Sequence, residues 1–404
     1  MRSLQITLAT TFTWNLMLGM VTAQTLQQPS QIGGNEVTSA FQEATDVVAV
    51  NLPQDEPATS SPSDLNVAGS DLACDTKSPG KESCSGITVG GWTQLGYHTQ
   101  GPNGVGQGSV NDYPNHFQVQ QQWLYLEKEA VRGNGFDWGF RMDYVYGTDG
   151  QDVQSFNGLD WDTSWYHGRA YGHAIPQLYL ELAYDRLNVK LGHFINNAGL
   201  ESMPATANAF YSHTYVMRHQ PRTYTGVVAD YAISDSMSVV AGWVEGWDTG
   251  FSNHGDGSMV IGGLEVQLTD AISFSYIATS GDAGSINNMY SHTIVLEMEL
   301  SDRLDYALQT DYISEVPIIE QLRPVTGITQ YMNYQLTDSV DLGIRYEWLN
   351  FLDSDREFSD LTLGLAASVT PNLLMRPEVR WNYFDGFSWY NDSMTFGIDA
   401  ILSY

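Results

Sequence analysis

Between residues 196 and 221 the chain collects side chains that could act on a charged solute: Glu201, His213, Arg218 and His219, with Arg222 just beyond. The grouping stands out because the whole sequence holds 17 Lys and Arg against 47 Asp and Glu, a formal net charge of -30. A carboxylate set against guanidinium groups across a narrow wet gap creates a transverse field and a size filter, as charged rings do in pores. The same residues would do nothing specific on an outer loop, with their charges dispersed in solvent. The choice between the two depends on where the segment is placed.

Other constellations carry less. Tyr211-Ser212-His213 and Tyr290-Ser291-His292 set a hydroxyl beside an imidazole, as a hydrolase needs. Neighbours on one strand point to opposite faces, so such a pair cannot share a proton directly. The sequence has no Gly-x-Ser-x-Gly elbow, no His-Glu-x-x-His pair and no phosphate loop, and we expect no enzyme. Asp149-Gly150-Gln151-Asp152 and Asp160-Trp161-Asp162 offer carboxylates to a hard cation, but no complete calcium loop follows. Solvated turns are the plainer reading, so no metal and no cofactor is expected. The strong acidity makes nucleic acid and anionic lipid poor partners; it fits cation steering or simple solubility.

The elements that must position these residues are written in a repeat. Ala-Ile-Ser-Asp-Ser-Met (232–237), Gln-Leu-Thr-Asp-Ala-Ile (267–272), Glu-Leu-Ser-Asp-Arg-Leu (299–304), Gln-Leu-Thr-Asp-Ser-Val (335–340) and Ser-Val-Thr-Pro-Asn-Leu (368–373) are variants of one phrase. Asp235, Asp270, Asp302, Asp338 and Pro371 recur every 32 to 36 residues. Each phrase separates two runs of alternating apolar and polar residues, so it reads as a tight turn between strands. From Ile87 onward the period-2 pattern gives sixteen strands, the first at 87–99 and the last at 394–404. An even number of strands, with short turns on one side and longer loops on the other, fits a closed antiparallel transmembrane β-barrel. Boundaries read this way shift by about 2 to 4 residues, so fourteen or eighteen strands stay open.

On several strands the faces separate cleanly. Leu178, Leu180, Leu182 and Tyr184 alternate with Tyr179, Glu181, Ala183 and Asp185. Ile294, Leu296, Met298 and Leu300 alternate with Val295, Glu297 and Glu299, and Leu342, Ile344, Tyr346 and Trp348 with Asp341, Gly343, Arg345 and Glu347. Unpaired charges are costly in a dry core, so the charged face must line a wet interior. That makes Glu181, Asp185, Glu297, Glu299, Arg345 and Glu347 candidate pore-lining residues, with Tyr179 and Tyr331 as lumen aromatics on which sugars could stack. Trp243, Trp247, Trp348 and Trp381 stand near strand ends, where aromatic belts form.

Both ends of the sequence add context. Arg2, the apolar stretch Leu4 to Met20 and Val21-Thr22-Ala23 have the layout of a secretory signal over 1–23. Residues 24–86 are polar and acidic without a persistent period, and we expect a disordered leader. In an exported chain Cys74 and Cys84 would form one local disulfide. The barrel domain then spans 87–404. At its end Phe396, Ile398, Ala400, Leu402 and Tyr404 make an alternating apolar row that closes on an aromatic residue. This row resembles the C-terminal signal that outer-membrane insertion machinery reads.

The long segment carries a more specific likeness. Gly192-His193-Phe194, Gly199-Leu200-Glu201 and Asn208-Ala209-Phe210-Tyr211-Ser212-His213-Thr214-Tyr215 resemble the signature of the OmpL-like β-barrel porin family, and the likeness extends more loosely over 87–404. His193 and Asn196-Asn197 depart from the family pattern. The resemblance implies an outer-membrane channel and places the segment where general porins carry the loop that folds into the lumen as a constriction. The expectation is therefore a porin in the bacterial outer membrane, passing small hydrophilic solutes or ions with a preference for cations. Its partners would be outer-membrane lipid, the barrel-insertion machinery and the solute; association as a homotrimer stays open. An adhesive or structural barrel, a sugar-selective porin and a barrel hydrolase are the alternatives.

Overall fold

The computed structural model describes residues 86–404 except 100–110, 112, 156–169, 253–255, 285, 319–320, 353 and 387–391. The expected signal, leader and Cys74–Cys84 disulfide lie outside the described residues, as does Asp160-Trp161-Asp162. Sixteen strands follow one another: β1 (Thr88–His98), β2 (Gln118–Lys128), β3 (Phe136–Gly147), β4 (Gly172–Tyr184), β5 (Leu187–Ile195), β6 (Thr223–Ser234), β7 (Met237–Val244) and β8 (Ser258–Thr269). The second half comprises β9 (Ile272–Asp282), β10 (Met289–Ser301), β11 (Leu304–Ile318), β12 (Gln321–Thr337), β13 (Val340–Phe351), β14 (Arg356–Thr370), β15 (Leu373–Asp385) and β16 (Ser393–Ser403). Each pairs with its sequence neighbours, and β1 pairs antiparallel with β16 from Trp92↔Ser403 to His98↔Gly397, so the barrel closes. The last residue completes the seam: Tyr404 donates its N–H to the Gly91 carbonyl at 2.9 Å and accepts the Gly91 N–H at 3.0 Å. Closure leaves no strand edge to recruit another chain.

The period-2 pattern explains the two surfaces. Leu178, Leu180 and Tyr184 are exposed on the outside while Ala183 is buried inside. Phe396, Leu402 and Tyr404 likewise lie on the outer surface, and Trp243 with them. Trp247 does not: it packs on an inner apolar cluster formed by Phe194, Tyr224, Val244 and neighbours from six other strands and the long loop.

The repeated phrase has a local cause. In each of the five turns the Ser or Thr hydroxyl accepts the N–H two residues on: Ser234 from Ser236, Thr269 from Ala271, Ser301 from Arg303, Thr337 from Ser339 and Thr370 from Asn372, all at 3.3–3.4 Å. The pairing register slips at the same residue each time, as between Gln335 and Thr337. A bulge with a hydroxyl-capped corner reverses the chain in two residues, which is why short polar residues recur there. Asp185 belongs to the corresponding β4–β5 turn, with φ 51° and an exposed side chain. It sits at the rim of the wall, not within the lumen as the alternation suggested.

Gly192 of β5 sits opposite Tyr179 of β4 with a φ of 135°. A Cβ there would stand 2.4 Å from the Leu178 carbonyl oxygen and 2.8 Å from the Tyr179 Cα, both unyielding backbone atoms. We predict that Gly192→Ala costs about 1–3 kcal/mol of barrel stability through backbone strain. A lower temperature for loss of the fast-migrating folded band in cold-detergent electrophoresis would show it; an unchanged transition would contradict it.

Candidate functional site

The segment from the end of β5 to the start of β6 crosses the interior and returns. Its neck is pinched where Asn196 donates its N–H to the Arg222 carbonyl at 2.8 Å. It runs first to β11, where the Leu200 N–H meets Gln309 Oε1 at 2.7 Å. It then reaches β2: the Ala205 N–H donates to Gln121 Oε1 at 3.0 Å, and Gln121 Nε2 donates to the Met203 carbonyl at 2.7 Å. A short helix α1 (Tyr215–His219) follows, capped by Thr214, whose side chain accepts the Met217 N–H. Gln220 finally touches the wall again, donating to Asp311 of β11 at 2.6 Å and Thr293 of β10 at 3.2 Å. Since Gln121, Gln309 and Asp311 are inward residues of well-separated strands, the segment lies inside the barrel.

A chain placed there loses water for its main-chain groups and must find partners. Charged wall residues supply them. Glu378 accepts the N–H groups of Tyr211 at 3.0 Å and Ser212 at 3.1 Å. Glu347 accepts those of Tyr215 and Val216, both at 2.7 Å. Arg345 donates to the Ser212 carbonyl at 2.5 Å, Arg380 to that of His213 at 2.7 Å, and Arg376 to those of Ala205 at 3.0 Å and Asn208 at 2.5 Å. Each arginine is also paired: Arg345 with Glu201 at 2.8 Å, Arg376 with Asp399 at 2.5 Å and Arg380 with Asp360 at 2.8 Å. Such charge-assisted bonds are about twice as strong as neutral ones. Aromatic faces add to the hold, with Phe210 against the Arg345 guanidinium at 5.1 Å and Tyr215 against that of Arg380 at 4.5 Å.

The candidate residues therefore take unequal parts. Glu201 is buried, accepting from Tyr331 at 2.6 Å, Arg345 at 2.8 Å and both the N–H and hydroxyl of Thr214 at 2.8 Å. Burial alone would push its carboxyl up, but Arg345, His213 and Tyr331 together hold it well below the usual range. It ties the loop to the wall. Tyr331 is buried, with its hydroxyl on Glu201 and its ring against Phe210, so it offers no open face to a sugar. His213 is buried with Nδ1 3.7 Å from Glu201. Arg222 turns its guanidinium back on the loop, donating to the Met217 carbonyl at 2.6 Å and the Gln220 carbonyl at 2.7 Å. Arg218 alone of the five is exposed. Arg345 and Glu347 face inward as the alternation indicates, yet both are 0% exposed beneath the loop. They anchor main chain rather than line open space. Arg376, Glu378 and Arg380 escaped the sequence reading, although their own alternation along β15 in an arginine-poor chain was a usable signal.

The loop leaves another stretch of wall uncovered. Along β2–β11 nearer the short turns, Glu127, Arg141, Tyr179, Glu181, Lys190, Asp230, Glu265 and Glu297 are half-buried, with inward small residues such as Ser275 and Ala307 between them. Glu299, further toward the turn, is exposed. The Ser-His dipeptides, in contrast, make no shared-proton pair. Ser212 Oγ accepts from Arg345 at 2.9 Å, and Ser291 bonds Thr279 on the inside at 2.7 Å while His292 stacks on Tyr312 outside. Asp149 is committed to Gln121, whose Nε2 lies 2.9 Å away.

The family model "Putative beta-barrel porin-2, OmpL-like" matches residues 86–404. The chain belongs to this porin family. Solved structures with the same architecture include the outer-membrane channel DcaP of Acinetobacter baumannii, at 10% identity and a TM-score of 0.55, covering 79% of this chain and 97% of that one. The loop L8 deletion mutant of OmpT, an outer-membrane protein of Vibrio cholerae, gives 11% identity and 0.55 over 79% and 99%. An anion-selective porin from Comamonas acidovorans gives 11% and 0.51 over the same shares. No curated protein matches the chain in sequence. This porin is accordingly a barrel of the bacterial outer membrane, and its exposed Leu, Phe and Tyr side chains face lipid.

Two consequences of the porin's buried loop can be measured. Arg345→Met leaves Glu201 buried without its cation, which we expect to cost about 3–5 kcal/mol, with most of it recovered in Arg345→Met/Glu201→Gln. Comparable melting of the single and double variants would refute this. The second concerns acid. His219, edge-on to Phe351 at 5.7 Å, has its pKa pushed down to about 3 by burial and by Arg218 and Arg222. Its folded pKa is below the unfolded value, so stability is full above about pH 6.5 and falls as pH drops toward 3. Asp248, which accepts the N–H groups of Arg222 at 2.5 Å and Thr223 at 2.8 Å, runs the other way: burial raises it to about 6, so its contribution improves on acidification. His219→Phe should flatten the loss between pH 6 and 4 in thermal melts, and an unchanged slope would count against the buried neutral imidazole.

Proposed function

We propose that this porin forms a water-filled diffusion channel for small hydrophilic solutes or ions, favouring cations, with the segment near 196–221 as its constriction. The observation that carries the reading is the anchoring of that segment: wall charges bond its main chain from β2 to β15, so it behaves as a fixed ledge across the lumen. The route left to solutes follows the uncovered wall. There the carboxylates Glu181, Asp230, Glu265, Glu297 and Glu299 outnumber the cations, and in a confined, low-dielectric passage such an excess concentrates counter-ions. Arg218 is the loop's contribution to the rim, while Glu201 and Arg222 keep the rim in shape. The outward row Phe396, Ile398, Leu402 and Tyr404 supports reading by the insertion machinery.

The test is planar-bilayer recording of the refolded porin under a KCl gradient. We expect single-channel steps and a reversal potential of cation-selective sign, weakening at high salt because the Debye length falls from about 10 Å at 0.1 M to about 3 Å at 1 M. Glu265→Gln/Glu297→Gln should lower the potassium-to-chloride permeability ratio and Arg218→Gln should raise it. A reversal potential indifferent to all three changes would overturn the charge assignment.

A further inference from the structure

Among the inward cations of the strands, Lys190 is set apart. Arg141 is held by Asp143 at 2.7 Å and Glu127 at 3.0 Å, and from the β2–β3 turn Arg132 reaches the inward Asp230. Arg345, Arg376 and Arg380 are paired beneath the loop. Lys190 has no hydrogen bond and no carboxylate within 4.0 Å among the described residues, although Glu181 stands directly opposite it in the β4–β5 register. Two competing contacts account for this. Glu181 Oε2 accepts the Ala130 N–H at 3.3 Å, which draws the carboxylate toward the β2–β3 turn. The Lys190 ammonium lies over the Tyr179 ring at 4.4 Å, with Phe194 at 5.9 Å. A cation held on an aromatic face keeps its remaining hydrogens available, because the ring takes up none of them as a conventional bond.

Its position makes that availability useful. Lys190 lies on the wall that the loop leaves uncovered, four residues past its short turn; Glu265 and Glu297 stand at a similar depth, five residues before theirs. A solute following this wall meets carboxylates and, among the described residues, a single unpaired ammonium. We propose that Lys190 is the anion contact of the passage and gives a foothold to small solutes that carry one carboxylate, which the acidic lining would otherwise turn away. The ammonium supplies the charge and three donors, and Tyr179 fixes where it stands. Solutes with two carboxylates gain one contact and meet the repulsion of the acidic lining twice, so they are disfavoured.

This assignment rests on the channel reading above, and the experiment separates the two. Reversal potentials would be recorded in gradients of potassium chloride, potassium acetate and potassium succinate for the wild-type porin and for Lys190→Met, Lys190→Gln and Lys190→Arg. Either neutral variant should raise the potassium-to-chloride and potassium-to-acetate ratios by roughly two- to fivefold. It should change the succinate ratio less, and Lys190→Arg should restore wild-type values. Lys190→Gln gives the same reading if Lys190→Met fails to fold, judged by its folded band. A conducting wild type whose ratios survive both neutral variants overturns the role of Lys190 and leaves the channel standing. A folded wild type that carries no current overturns the channel, and this proposal with it.

Discussion

The structure depends on one requirement: a stretch of main chain taken out of bulk water inside a barrel must have its N–H and C=O groups satisfied. Here the satisfaction comes from charges. Glu347 and Glu378 accept loop N–H groups, and Arg345, Arg376 and Arg380 donate to loop carbonyls. These wall groups are themselves buried, so they could not remain ionised without opposite charges close by. Glu201, Asp360 and Asp399 meet that need for the arginines. Loop and wall are thus two halves of one hydrogen-bonded lattice.

The lattice also divides the lumen. Its anchors concentrate on β13, β15 and, through Gln120 and Gln121, β2, with Gln309 and Asp311 fastening the near side on β11. Charge that serves the loop lies beneath it, and the remaining inward charge stays half-buried on the wall nearer the short turns. The same residue types therefore do different things according to cover. Arg345 is a clamp and Lys190 a free ammonium, although each sits on an inward position of an alternating strand.

Much of the architecture was legible in the sequence because it follows from short-range rules. The Ser/Thr-Asp corners marked the tight turns because a hydroxyl caps the N–H two residues on, wherever the strand belongs. The alternation at 178–184 and 340–351 gave the faces because successive side chains must point to opposite sides. The candidate site was less legible. That Glu201 and Arg345 would meet across 144 positions of sequence, or that Trp247 would turn inward while Trp243 stays outside, depends on how the barrel curves and how its loops fall. Asp185 shows the same limit at a finer scale: its parity was inward, but the turn had already begun.

The sequence by itself indicated about sixteen strands, the order of short and long connections, the inner and outer faces and the likeness to a porin family, since each is set by residues close in the chain; barrel closure then fixed the number at sixteen. Only the tertiary structure decided which inward charges are spent on holding the loop and which are left uncovered by it. Pairing across the lumen is a matter of distance in space, and burial changes what a charge needs: beneath the loop it must be neutralised by a partner, and on the uncovered wall water can still reach it.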